Sequence, residues 1–162
     1  MSTTEAGLDA PAFDDKDYET AVAQLRAEQN FALAVPAGIV AAVVGAVLWA
    51  AVVYIAEYQI GLIAIAVGAL VGYAVRIVGK GVDPQFGFLG AACAALGWAL
   101  GTILVDVAML AKMTGVPIGQ AFATLGVGNS ISLLFSAADA MDLLFLGIAI
   151  YEGYRFAFRA RI

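Results

Sequence analysis

Asp142-Leu-Leu-Phe-Leu-Gly-Ile-Ala-Ile-Tyr-Glu-Gly-Tyr-Arg155 is the stretch on which the fold turns. Only about nine apolar residues separate Asp142 from Glu152, and whether this segment crosses a bilayer decides where Arg155, Arg159 and Arg161 sit. Three longer apolar runs precede it, roughly Phe31 to Ala56, Ile60 to Val78 and Phe86 to Ala111. Each is long enough to cross a ~30 Å hydrocarbon core at ~1.5 Å rise per residue. Suppose that Leu143 to Phe158 is a fourth span and the N-terminus is cytoplasmic. Then Lys16, Arg26, Arg76, Lys80, Arg155, Arg159 and Arg161 all lie in the cytoplasm and only Lys112 faces out. Without the fourth crossing the eight bases divide four against four, and the asymmetry that orients membrane proteins disappears. Crossing is the better reading. The expected fold is all-α: a polytopic transmembrane helical bundle of four spans with both termini cytoplasmic.

Composition agrees. Apolar residues make up 63% of the 162 residues, charged residues 13%, and mean hydropathy is +0.94, outside the range of ordinary soluble domains. The chain divides into an acidic leader, residues 1–30, and a single membrane domain, residues 31–162. The leader carries seven acids (Glu5, Asp9, Asp14, Asp15, Asp17, Glu19 and Glu28) and two bases. Its net charge of −5 equals that of the whole chain, so the membrane domain is formally neutral. Met1 to Asp17 has neither the positive start nor the apolar run of a secretory signal, and the N-terminus is expected to persist. Residues 1–12 read as disordered. Asp15 to Asn30 reads as a juxtamembrane helix with Tyr18, Ala21, Val22 and Leu25 on one side. The acids either hold the leader in the cytosol as a solvated segment or dock a basic partner.

Residue types that are scarce exclude much chemistry. Cys93 is the only cysteine and lies in the third span, so no disulfide or cysteine-based metal set is expected. The absence of histidine removes the usual general base and the commonest metal and haem ligand. Glycines between Gly61 and Gly101 lack the Lys-Ser/Thr pair of a phosphate loop. No enzyme activity, cofactor, metal or nucleic-acid partner is expected.

Glycine spacing speaks to packing instead. Gly61, Gly68 and Gly72 in the second span repeat the spacing of Gly90, Gly97 and Gly101 in the third. Gly68-x-x-x-Gly72 and Gly97-x-x-x-Gly101 each form a small-residue face that lets two backbones approach closely. They predict a tight antiparallel hairpin of the second and third spans about the Gly79 to Gln85 turn, with self-association in an oligomer as the alternative use. The matched spacing also hints at an inverted repeat, but the first and fourth spans do not match each other.

Two polar groups invite a functional reading. Glu152 falls in the inner half of the bilayer, where a carboxylate is costly unless paired, protonated or hydrated. Arg155, three residues on, and Arg76, at comparable depth in the second span, are candidate partners in an ion pair; snorkelling to the interface is another resolution. A proton or cation path through Glu152 is the functional alternative. On the outer side Asp106, Asp139 and Asp142 form a candidate acidic cluster, read as interfacial charge, as partners of Lys112 or as a cation-attracting vestibule. Trp49, Tyr54 and Tyr58 fit an outer aromatic belt. Between Thr114 and Ala138, Pro117 opens one short amphipathic helix through Leu125 and Asn129 or Ser130 caps a second from Ile131. These are read as extra-cytoplasmic helices lying on the bundle or the outer leaflet, with a re-entrant hairpin as the alternative.

Several stretches carry a resemblance. Arg26-Ala-Glu-Gln-Asn-Phe31, the run from Gly68 through Val71-Gly-Tyr-Ala-Val-Arg76 with Gly79-Lys-Gly81, Phe86-Gly-Phe-Leu-Gly90, and Asp142 to Phe145 with Ala149 to Arg155 together resemble a group of small, uncharacterised bacterial membrane proteins. The resemblance covers most of Arg26 to Arg159 and implies a bacterial four-span protein, which the charge asymmetry of the spans places in the inner membrane. Arg76, Gly79, Gly81, Asp142 and the Tyr151 to Arg155 run belong to that pattern. It brings no catalytic or binding residue with it, and it does not extend to the leader or to Thr114 to Ala138. The function expected is that of a structural or accessory subunit binding membrane lipids or another membrane protein. The alternative is a small homo-oligomeric cation or proton channel or transporter that uses Glu152.

Overall fold

The computed structural model describes residues 15–57, 62–137 and 140–158. Among them there are six α-helices and no strand. Helix α1, Asp15–Ala27, falls within the Asp15 to Asn30 stretch expected to be helical and ends three residues short of it; residues 1–12 lie outside the described residues. Helix α2, Phe31–Ala56, begins where Asn30 accepts a hydrogen bond from the Leu33 N–H at 3.0 Å. It ends at Glu57, whose left-handed φ of 57° lets its N–H reach the Val53 carbonyl. Side-chain capping at one end and an αL residue at the other satisfy backbone groups that a helix cannot satisfy internally. Helix α3 is Leu62–Gly79, and α4 is Pro84–Thr114, started by Asp83-Pro84 and stopped by Gly115 at φ 70°. At 31 residues α4 exceeds its expected span at both ends because these punctuating residues lie outside the apolar run. Helix α5, Ile118–Ala137, is broken only at Gly126 (φ 68°, ψ 155°). Helical backbone resumes directly after it, so the break expected over Gly126 to Asn129 is a single residue wide. Helix α6, Ala140–Phe156, starts earlier than Leu143 and takes Asp142 into its first turn, where a carboxylate meets the positive end of the helix dipole.

The helices pack as two triangles sharing an edge. α3 and α4 touch; α2 lies against both on one flank and α6 against both on the other, so α2 and α6 do not meet. Among the described residues α5 touches only α4. Paired contacts set the directions. On one flank, Gly38 faces Val75 and Cys93, Gly45 faces Val67, and Gly79 faces Ala34, making α2 antiparallel to α3 and parallel to α4. On the other flank Gly68 meets Ala149 and Gly72 meets Gly153 and Phe156, while Gly90 meets Gly153 and Gly87 meets Tyr154 and Phe158. Helix α6 therefore runs parallel to α3 and antiparallel to α4.

These contacts correct the expected use of the glycine faces. Gly68 and Gly72 are turned to α6 rather than α4, and Gly97 and Gly101 receive Ala42 and Trp49 of α2, with Val67 of α3 also against Gly97. The reason is geometric: α3 and α4 must each accommodate two further helices, and the positions without side chains are where those helices come closest. Gly61 lies outside the described residues. Trp49 is likewise not in an aromatic belt. It is 2% exposed, its ring seated over Gly101 and its indole N–H without an acceptor among the described residues. Tyr54 remains half exposed, and Tyr58 lies outside the described residues.

The centre of the assembly is filled by Ala42, Val67, Val71, Cys93, Ala94 and Trp98, while Val40, Leu48, Ile55, Ile77 and Phe88 lie open on the outside. Mostly small residues inside, with Trp49, Phe86 and Trp98 the large exceptions, and bulky apolar residues outside suit a lipid solvent, where close backbone contact drives association. By length and composition α2, α3 and α4 are able to cross a membrane. Helix α6, at 17 residues with Asp142, Glu152 and Arg155, does not meet that standard alone. The chain is thus an all-α protein with three apolar helices of membrane-spanning length.

Candidate functional site at the Asn30 end of the bundle

Polar contacts concentrate at the end where α2 begins, α3 ends and α4 begins. Gln29 bridges this junction: its Oε1 accepts from the Val82 and Asp83 N–H groups at 3.0 and 3.1 Å, and its Nε2 donates to Asp83 Oδ2 at 2.9 Å. Arg26 Nε donates to Asp83 Oδ1 at 3.0 Å, and the Asn30 N–H donates to the Gly79 carbonyl at 2.9 Å. Lys80 Nζ pairs with Glu28 Oε2 at 3.0 Å. Together these bonds tie residues 26–30 to residues 79–83. Beneath them Phe86 is fully buried, with Phe31 edge-on at a centroid distance of 5.4 Å. Gly81 must be glycine here, because a Cβ would sit 2.5 Å from Phe86 Cγ.

Beside this lock is a cleft of about 360 Å³ lined by Leu25, Glu28, Arg76, Ile77, Lys80 and Val82. Arg76 lies in the last turn of α3, and Lys80 follows directly after its last residue, Gly79, with a left-handed φ of 49°. Glu28 engages Lys80, whereas Arg76, half-buried, is in no ion pair among the described residues.

The expected site residues are distributed differently. Glu152 lies half-buried on α6, level with Gly72 of α3, and neither Arg155 nor Arg76 forms an ion pair with it. Arg155 is exposed, its guanidinium 5.9 Å from the Phe156 ring centroid, and Arg76 is one turn further along α3 than Gly72, in the cleft. At the opposite, Lys112 end, Asp106 of α4 and Asp142 of α6 come near enough for their charges to interact; Asp139 lies outside the described residues. Lys112 does not join these acids. It pairs with Glu57 at 2.6 Å, bonds the Tyr54 carbonyl at 2.9 Å and lies 4.8 Å from the Tyr54 ring centroid. The hydrogen bond from Lys112, reinforced by its charge, holds the Glu57 carboxyl below its ordinary value of 4.5.

The Gln29–Asp83 bridge was not legible beforehand, since Gln29 is an ordinary polar residue in sequence. Asn30 before an apolar run and Asp83 before Pro84 were the available signals, and both are helix-start signals. No protein-family model matches this chain, and no curated protein or solved structure matches it significantly.

Proposed function

We propose that this chain is an integral protein of a bacterial inner membrane that acts as a structural or accessory subunit, binding lipids or other membrane proteins, with no reaction of its own. In this reading α6 is a fourth crossing and both termini are cytoplasmic. Support for the crossing comes from depth. α6 packs along both α3 and α4, with Ala149 against Gly68 and Tyr154 against Gly87, and its 17 residues extend roughly 25 Å, at the lower limit of what crosses a hydrocarbon core. Lys16, Arg26, Arg76, Lys80 and Arg155 then share the cytoplasmic side, and Lys112 is outside.

The observation that carries the accessory reading is the α3–α4 contact through the middle of the bundle. With α2 and α6 on opposite flanks and Ala42, Val67, Val71, Cys93, Ala94 and Trp98 filling the centre, the described residues of a single copy enclose no conduit. Native mass spectrometry after gentle extraction from the membrane tests this. One copy retained with lipids or unrelated subunits supports it; a defined ring of identical subunits refutes it. Glu152 favours a second reading, a small homo-oligomeric cation or proton channel, because its carboxylate has no ion-pair partner among the described residues. That reading requires the ring, together with flux that is lost in Glu152→Gln.

A further inference from the structure

We infer that the cleft at the Asn30 end binds the phosphate of an anionic phospholipid headgroup, with Arg76 as its principal ligand. The inference rests on the membrane reading above and adds the ligand and the residues that hold it.

Three features converge on this site. The first is charge. A guanidinium does not lose its proton and presents five donors suited to phosphate oxygens, and Arg76, a half-buried residue, has no carboxylate partner among the described residues. Lys80 adds a second cation on the same wall and Glu28 offsets one of the two, leaving the cleft with a net charge of +1. The carbonyl of Gly79, which at a helix C-terminus would repel an anion, is already bonded to the Asn30 N–H.

The second is construction. The walls belong to three segments, α1, the end of α3 and the loop to α4. The Gln29, Arg26 and Asp83 bonds clamp those segments together. A ligand entering there need not order the cleft, and avoiding that cost favours binding.

The third is what adjoins the cleft. Leu70, Tyr73 and Ile77 are 41%, 45% and 71% exposed and follow one another at helical spacing along α3. Ile77 itself lines the cleft. An apolar stripe that runs down a membrane-spanning helix into a basic cleft at its end matches an acyl chain joined to a phosphate, and basic pockets at helix ends on the cytoplasmic side recognise such headgroups. A soluble phosphate compound would make no use of the stripe.

The test uses the full-length protein in mild detergent, titrated with phosphatidylglycerol or phosphatidylcholine and read by native mass spectrometry. Wild type should retain phosphatidylglycerol about tenfold more strongly, and Arg76→Gln should remove most of that preference, as befits the loss of one charge-assisted contact. Glu28→Gln removes the opposing carboxylate and should strengthen retention, a gain that misfolding cannot imitate, so it decides the matter if Arg76→Gln fails to fold. Equal retention of the two lipids, selectivity unchanged in Arg76→Gln, or unchanged or weakened retention in Glu28→Gln overturns the inference. Displacement of the lipid by excess inorganic phosphate would identify a site for soluble anions and also overturn it. Alkaline washing of membranes separates the two levels: a protein that stays in the membrane but lacks lipid selectivity fails this inference alone, and one released into the aqueous fraction fails the membrane reading as well.

Discussion

Replacing Gly68 with alanine probes the α3–α6 contact with one methyl group. A Cβ at Gly68 would sit 2.5 Å from the Ala149 carbonyl oxygen and 2.9 Å from its Cα, where ordinary contact begins near 3.4 Å. Both atoms are backbone, so no rotamer change relieves the overlap and the helices must part by about 0.9 Å locally. Overpacking of this kind costs ~1–3 kcal/mol, and the rigidity of the obstacle places Gly68→Ala towards the upper end. Alanine returns up to ~1 kcal/mol through its better helix propensity, leaving a net loss of roughly 1–2 kcal/mol. Gly147, on the same helix as Ala149, supplies the control. A Cβ there meets nothing within 4 Å, and Gly147→Ala should keep or raise stability by ~0.5–1 kcal/mol. Thermal unfolding of the detergent-solubilised variants, followed by loss of the monodisperse chromatographic peak, compares the two. Equal melting temperatures would refute the packing argument. A large loss in Gly147→Ala alone would mean that another chain occupies the outer face of α6.

Gln29→Ala should destabilise the bundle by ~1–3 kcal/mol, because it strands the partly buried Val82 and Asp83 N–H groups; unchanged melting would show that water replaces the amide at no cost. Glu57 titrates at a lower pH folded than unfolded, so its pairing with Lys112 stabilises the protein above about 4.5 and that contribution fades as pH falls through the lower folded value. Lys112→Gln should therefore lose a small stability increment at pH 6 and show a shallower decline between pH 5 and 3 than wild type, measured by melting temperature; parallel curves would discount the pair. Glu152→Gln, which replaces a carboxylate lacking an ion-pair partner among the described residues, should fold and melt no lower than wild type. A marked drop in its melting temperature would reveal a cation that Glu152 needs.

The helices were legible because apolar runs of this length admit few alternatives, and α2 spans the residues its run suggested, Phe31–Ala56. The ends of α4 and α6 were less so, since Asp83-Pro84 and Asp142 belong to helices by capping and dipole rather than by hydropathy. Glycine spacing announced close approach but not the partner. A small-residue face carries no record of which helix it receives, and Gly68 and Gly97 turned out to serve different neighbours. Arg76 was legible as an intramembrane cation. Its companions were not, for the cleft is assembled from Leu25 and Glu28 at one point in the chain and Lys80 and Val82 more than 50 residues on, joined by an amide side chain with no distinguishing pattern.

The separation of α2 from α6 has a consequence for how damage accumulates. Gly45 abuts Val67 on the α2 flank, and Gly90 abuts Gly153 on the α6 flank, roughly 10 Å apart along the helix direction. Their alanine substitutions share no neighbour and should add within ~0.5 kcal/mol. Gly68→Ala and Gly90→Ala both push α6 outward, and once one has displaced it the second has less to disturb. The double variant should lose less than the sum of its parts. In genetic terms the two flanks are independent and each is epistatic within itself, so sequence change on one side of the α3–α4 pair leaves the other free to vary.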